Sequence, residues 1–267
     1  ACWNRTPRAP GWNWSPQTIR MPCVAKGRKS YPNAPLRSFG GEVFRIVESQ
    51  KEVATAHIVA NLDEQHLLEQ LIKTSKPGAI GAAPHYLLST PFRYPTLRHG
   101  SRFGPRFEAS LFYDALEQDT CFLECAYYRF LLIDDMTVPP PEPVMTQHTV
   151  FATRVVSHAV VDLRQEPFGG WQEELRSPTS YHLSQPMGSN LRDQGAEMLL
   201  FTAARGEEGT NVGLYTPEVF STSQPATQDR WISQVVRSIA RFSRKGAVLH
   251  FNREQFCGPG DALLRVS

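Results

Sequence analysis

At 267 residues, with 41% hydrophobic and 20% charged side chains, the chain has the make-up of an ordinary globular protein and the length for one large domain or two small ones. No run approaches the roughly 18 apolar residues of a membrane span, which argues against a membrane partner. The net charge of +2 hides a split: residues 1–40 carry seven Lys or Arg and no acid, leaving 21 basic against 26 acidic side chains in residues 41–267. Such a body lacks the cationic surplus that neutralises a duplex, which argues against nucleic acid as its partner.

Residues 1–40 are rich in Pro, Arg, Trp and Asn and show no periodicity. They read as a flexible basic leader, without the charged-then-apolar pattern of a secretory signal. Their lack of acids resembles a transit peptide, but the prolines break any amphipathic helix. A single domain is expected over residues 41–267. Val43 to Val47 alternates as a strand, and Leu62 to Lys73 is an amphipathic helix with Leu67, Leu68, Leu71 and Ile72 on its apolar face. His66 within it reads as a surface residue rather than a ligand.

The stretch from Leu87 to Phe130 organises the rest. Arg93, Arg98, Arg102 and Arg106 alternate there with Phe92, Tyr94, Phe103 and Phe107. Pro91, Pro95, Gly100 and Gly104 argue against helix through that loop. Leu111 to Tyr113 is a short strand. Asp119 and Thr120 suit a helix N-cap, and Cys121 to Leu132 is the helix, with Glu124 in its middle. Pro139 to Pro143 is an extended connector, and Val144 to Leu163 is β-rich. Ser180 to Gln194 suits a helix ending at Gly195. Glu197 to Thr202 and Asn211 to Tyr215 read as strands around a turn at Arg205 to Gly209. Trp231 to Phe242 fits neither period better than the other, and Val248 to Phe251 is a last strand. The pattern is α+β without regular βαβ alternation: a mixed sheet with flanking helices.

The five cysteines are Cys2, Cys23, Cys121, Cys125 and Cys257, an odd number with no CxxC pair. That disfavours a zinc ribbon, and no metal is expected. Reduced thiols in a cytoplasmic protein fit best; Cys121 and Cys125 read as small core hydrophobes.

The chemistry of the central stretch admits two readings. Arginine forks match phosphate oxygens, aromatic faces stack on flat rings, and one carboxylate among apolar neighbours can stabilise a ribosyl cation, as glycosidase carboxylates do. These parts describe a nucleotide site that cleaves a glycosidic bond. Equally, arginines among aromatics form solvated loops with snorkelling stems, and Glu124 can be half of a structural ion pair.

HYLLSTPFRYPTLRHGSRFG (residues 85–104) followed by FYDALEQDTCFLECAYYRF (112–130) resembles the longer branch of the RES-domain family. VFRIVESQ (43–50) and TNVGLYTPEVF (210–220) fit the same family in the same order. The resemblance spans about Glu42 to Phe256. It implies an ADP-ribosyltransferase-like fold and a toxin of a toxin–antitoxin pair, with an Xre-like antitoxin as partner. It also implies that NAD+ is the substrate, cleaved at its nicotinamide–ribose bond, with ADP-ribose passing to phosphate, water or a protein. Carried over residue by residue, the family's first-strand arginine matches Arg45 and its glycine-turn arginine matches Arg102. Its strand tyrosine matches Tyr113, and its helical glutamate, eleven residues later, matches Glu124. These four are the implied catalytic set. Arg93 and Tyr94 match the branch's Phe-Arg-Tyr-Pro and, with Thr202 and Asn211, are the implied substrate-binding residues. One departure stands out: the alignment places Ala203 where the family carries a serine. Either Thr202 supplies the hydroxyl after a register shift, or the hydroxyl is missing. The alternative to an enzyme is therefore an inactive nucleotide-binding or interaction module on the same fold.

Overall fold

A computed structural model describes residues 31–49, 84–93, 98–138, 140–206 and 208–266, together with Glu64 and Leu71. In chain order the elements are β1 (Arg37–Glu48), α1 (Tyr86–Arg93), β2 (Phe112–Ala115), α2 (Gln118–Asp134), β3 (Val144–Asp162), α3 (Gln172–Leu175), α4 (Ser184–Asp193), β4 (Met198–Thr202), β5 (Thr210–Leu214), β6 (Thr227–Val235), β7 (Ile239–Arg244) and β8 (Ala247–Asn252). The expected helix over residues 62–73, with His66, lies outside the described residues apart from Glu64 and Leu71, both helical. Tyr94 and Pro139 also lie outside them.

The strands form one mixed sheet in the order β1-β2-β5-β4-β3-β6-β7-β8, an α+β architecture as the pattern predicts. Among the described strands only β3 and β4 pair in parallel. The 19-residue β3 is long enough to serve three partners. Its middle pairs antiparallel with β1, from Glu48 opposite His148 to Arg37 opposite Val160. That extra pairing closes β1, β2, β5, β4 and β3 into a ring, which leaves none of these five with a bare edge. The start of β3 pairs with β6, and β6–β7–β8 continue outward as an antiparallel extension.

Two cores follow from this layout. Val43, Phe112, Phe151, Val155, Met198, Leu200, Val212 and Leu214 pack together from the ring strands, joined by Leu87 and Leu88 of α1. Phe122, Ala126, Tyr127, Phe130 and Ile133 of α2 pack on Trp231, Ala240, Phe242 and Phe256. Burying one face of α2 in this way leaves Glu124 on the side away from those rings.

Several local expectations need correction. The stretch after Ser89 is helical through Pro91 as far as Arg93. The lost backbone hydrogen bond is outweighed by packing: Leu87 and Leu88 are buried, and Phe92 stacks on Phe112 at 5.9 Å. The N-cap of α2 is Glu117, not Asp119 or Thr120, which occupy the first turn. Glu117 instead accepts hydrogen bonds from Thr120 Oγ1 and the Thr210 N–H. Helix α4 starts at Ser184, later than Ser180, and ends before Gly195 with its φ of +85°. The ambiguous 231–242 stretch is two strands, β6 and β7. The β7–β8 turn has positive φ at both Lys245 and Gly246, the geometry that suits a tight hairpin. Strand β1 begins at Arg37 rather than at the expected domain boundary of 41. The compact unit runs from Pro32 to Ser267.

Candidate active site

A cleft of about 650 Å3 opens between the ring and α2, lined among others by Arg45, Arg102, Tyr113, Glu124, Arg205 and Asn211. All four of the implied catalytic residues therefore meet around one space, although 79 positions of sequence separate Arg45 from Glu124. Asn211 joins them. Arg93 is exposed and lies on α1, away from the lining, and Thr202 does not line the cleft either.

Strand alternation explains the last point. Phe201 pairs with Asn211, and Asn211 with Ala115. These three line the cleft, whereas Leu200 and Val212 face the core. Thr202 shares the face of Leu200, so its hydroxyl does not stand in for the family serine. Ala203 is fully buried, and its N–H donates to Gly209 O at 2.8 Å.

Glu124 is held on both oxygens. Arg205 Nη1 donates to Oε2 at 3.0 Å and Asn211 Nδ2 donates to Oε1 at 3.2 Å. The Arg205 side chain is only 6% exposed and that of Glu124 is 21% exposed, so the pair is shielded on one side and open to the cleft on the other. Arg205 also stacks on Tyr127, its guanidinium carbon 3.5 Å from the ring centroid. Burial alone would pull Arg205 down; Glu124 and the neighbouring phenols outweigh it and hold the guanidinium above its usual range. Arg205 carried no signal of its own in the sequence, because its partner lies 81 positions away.

Tyr113 and Arg102 are tied to the tight turn at 100–104. The Tyr113 hydroxyl donates to Ser101 Oγ at 2.9 Å and accepts from the Phe103 N–H at 3.1 Å. Burial pushes this phenol up to about 12, against the pull of those hydrogen bonds, so it stays neutral at any physiological pH. Gly100 has φ +72°, and a Cβ there would stand 2.5 Å from Gly104 O; only glycine fits. Gln185 of α4 staples the turn by donating to the His99 and Ser101 carbonyls. Arg102, 7% exposed, donates through Nη1 to the carbonyls of Leu175 and Ser177. Its guanidinium lies over Tyr181 at 5.1 Å. One end of this arginine is thus spent on holding the chain after α3, and its charge remains beside the cleft.

Arg45 donates to the carbonyl of Tyr113 and lies over the Phe112 ring at 4.4 Å. Asp114 stands opposite it on β2, 5% exposed, with neither carboxyl oxygen hydrogen-bonded. Burial lifts that carboxyl well above the usual carboxylate range, with Arg45 opposing. Burial likewise lowers Arg45, with Asp114 opposing. Cys121 completes this corner by donating to Phe44 O at 2.8 Å, and burial raises its thiol. A neutral, engaged thiol fits the small-hydrophobe reading. Among the described residues no group of three or more His, Cys, Asp or Glu stands ready for a metal, and no helix is long and apolar enough to cross a membrane.

The site is therefore a cleft at the rim of a strand ring, with largely apolar walls into which one clamped carboxylate and buried arginines are set. The sequence model of the RES domain matches residues 77–233, more than half of the chain, and the chain belongs to that family. The match contains Arg102, Tyr113, Glu124 and Asn211 but not Arg45. No curated protein matches the chain. Among solved structures it is similar to the M. tuberculosis MbcT–MbcA toxin–antitoxin complex, at 11% identity over 76% of this chain and 87% of that one, with a TM-score of 0.43.

Proposed function

We propose that the protein is an NAD+-degrading enzyme that acts as the toxin of a toxin–antitoxin pair in the cytoplasm. The observation that carries this reading is the carboxylate of Glu124, clamped on both oxygens at the edge of a cleft that also collects Arg45, Arg102 and Tyr113. In the reaction the bond between the ribose carbon and the nicotinamide nitrogen breaks. Its electron pair leaves with neutral nicotinamide, and a positively charged ribosyl centre develops. Glu124 stabilises that charge as it forms, which is where a fixed anion accelerates a reaction most. Tyr113, Tyr128 and Tyr181 offer flat faces for the nicotinamide and adenine rings. Arg45 and Arg102 supply positive charge for the diphosphate. The ribosyl centre is then taken by an oxygen of phosphate, of water or of a protein side chain, and any proton on that oxygen passes to solvent as the new bond forms.

The experiment is chromatography of NAD+ incubated with the purified protein, with and without inorganic phosphate. Release of nicotinamide with a matching ADP-ribose product is expected, and a phosphorylated product in the phosphate arm identifies the acceptor. Unchanged NAD+ in both arms would leave the second reading, a nucleotide-binding or interaction module without activity. Ala203 favours that reading, because the family hydroxyl is absent and Thr202 does not replace it. Unchecked NAD+ loss would kill the host, so an antitoxin is expected: a small Xre-like protein that occludes the cleft.

A further inference from the structure

We propose that Arg205 is a positioning residue of the site, holding Glu124 in its reactive orientation from the side opposite Asn211; this rests on the NAD+-cleaving reading above. A glutamate reaches into a cleft through three rotatable bonds, so its carboxylate must be fixed from outside to act on one atom. Arg205, three residues beyond the end of β4, supplies a charge-assisted bond of 3.0 Å to Oε2, stronger than a bond between neutral groups.

The mounting of Arg205 is what separates a positioning residue from a passing ion pair. Below it lies Tyr127, 3% exposed and fixed by its hydroxyl bond to Leu264 O at 2.8 Å. The turn that carries it is pressed onto α2, the helix that carries Glu124. A Cβ at Gly206 would meet Leu123 Cδ2 at 2.8 Å, and one at Gly209 would meet Thr120 Oγ1 at 2.4 Å. The N–H of Thr210 is bound by Glu117 at the start of the same helix, at 2.8 Å. The segments that carry Arg205 and Glu124 are thus packed against each other, with Nη1 of Arg205 facing the carboxylate.

The test compares Arg205→Gln, Arg205→Lys, Glu124→Gln and the double variant Glu124→Gln/Arg205→Gln in full-length protein, by NAD+ turnover and thermal melting. Loosening the carboxylate is expected to lower kcat in Arg205→Gln by roughly 10–100-fold, the scale of a misplaced catalytic group, with KM within about threefold of wild type. Arg205→Lys keeps the charge without the fork and is expected to recover part of that loss. Because Arg205 acts through Glu124, the double variant is expected to be no slower than Glu124→Gln alone. A double variant whose loss equals the product of the two single losses would place Arg205 on the substrate and overturn the proposal. So would wild-type kcat in either single Arg205 variant. Should Arg205→Gln fail to fold, Arg205→Lys carries the test, with wild-type kcat as the overturning result. Wild-type turnover in Glu124→Gln is a separate outcome that removes the NAD+-cleaving reading itself.

Discussion

At the scale of single residues, the decisive fact is that Glu124 is both an ion-pair partner and a wall of the cleft. A structural pair and a catalytic carboxylate differ in what Glu124→Gln does. The amide keeps the size of the side chain and can still bond Asn211, but it leaves the Arg205 charge unanswered. Glu124 is 21% exposed, so the stability loss should stay below the roughly 3–5 kcal/mol of a broken, fully buried pair. Turnover of NAD+ is expected to fall by roughly 10²–10³-fold, the scale of losing one electrostatic stabiliser. Melting curves and a rate assay on the same preparation separate the two effects. A variant that melts early yet turns over at the wild-type rate would make the pair purely structural.

At the scale of elements, the contact between α4 and the 100–104 turn sets where Arg102 sits. Gly188 of α4 lies so close that a Cβ would stand 2.0 Å from Phe103 O, a backbone atom. Alanine ordinarily favours a helix over glycine by about 1 kcal/mol. Here the clash with a backbone that cannot yield should win, at the roughly 1–3 kcal/mol typical of overpacking. Gly188→Ala is expected to lower the melting temperature. It should also weaken NAD+ binding, because the displaced turn carries Ser101, Arg102 and the Phe103 N–H that Tyr113 engages. Calorimetric titration with NAD+ beside a thermal melt checks both. An unchanged or raised melting temperature would show that the turn and helix can part without cost.

At the scale of the whole molecule, the long pairing of β1 with β3 closes the ring and presents Arg45 to the cleft. A protein starting at Pro32 keeps every residue of β1, and Ala34 still donates its N–H to Gln194 Oε1 at 3.0 Å. It is expected to melt within a few degrees of the full chain. A protein starting at Glu42 loses the pairing of Arg37 to Gly41 with β3 and is expected to melt clearly lower. Equal melting of the two would mean that the first five residues of β1 contribute nothing to closure.

Much of this was legible in the chain itself. Strand and helix types for β1 to β5 and α2 follow from local periodicity, and the spacing of Tyr113 to Glu124 already places a carboxylate one helix after a strand. These are short-range properties, carried by side-chain patterns of period two or near four. The ring, the pairing of Glu124 with Arg205 across 81 positions, and the turning of Thr202 away from the cleft were decided only by the tertiary structure. The same holds for α1 running through Pro91, where Leu87, Leu88 and Phe92 gain more from the core than one backbone hydrogen bond loses. Register between distant strands and the company a charge keeps depend on which surfaces meet, and no local pattern in the sequence encodes that.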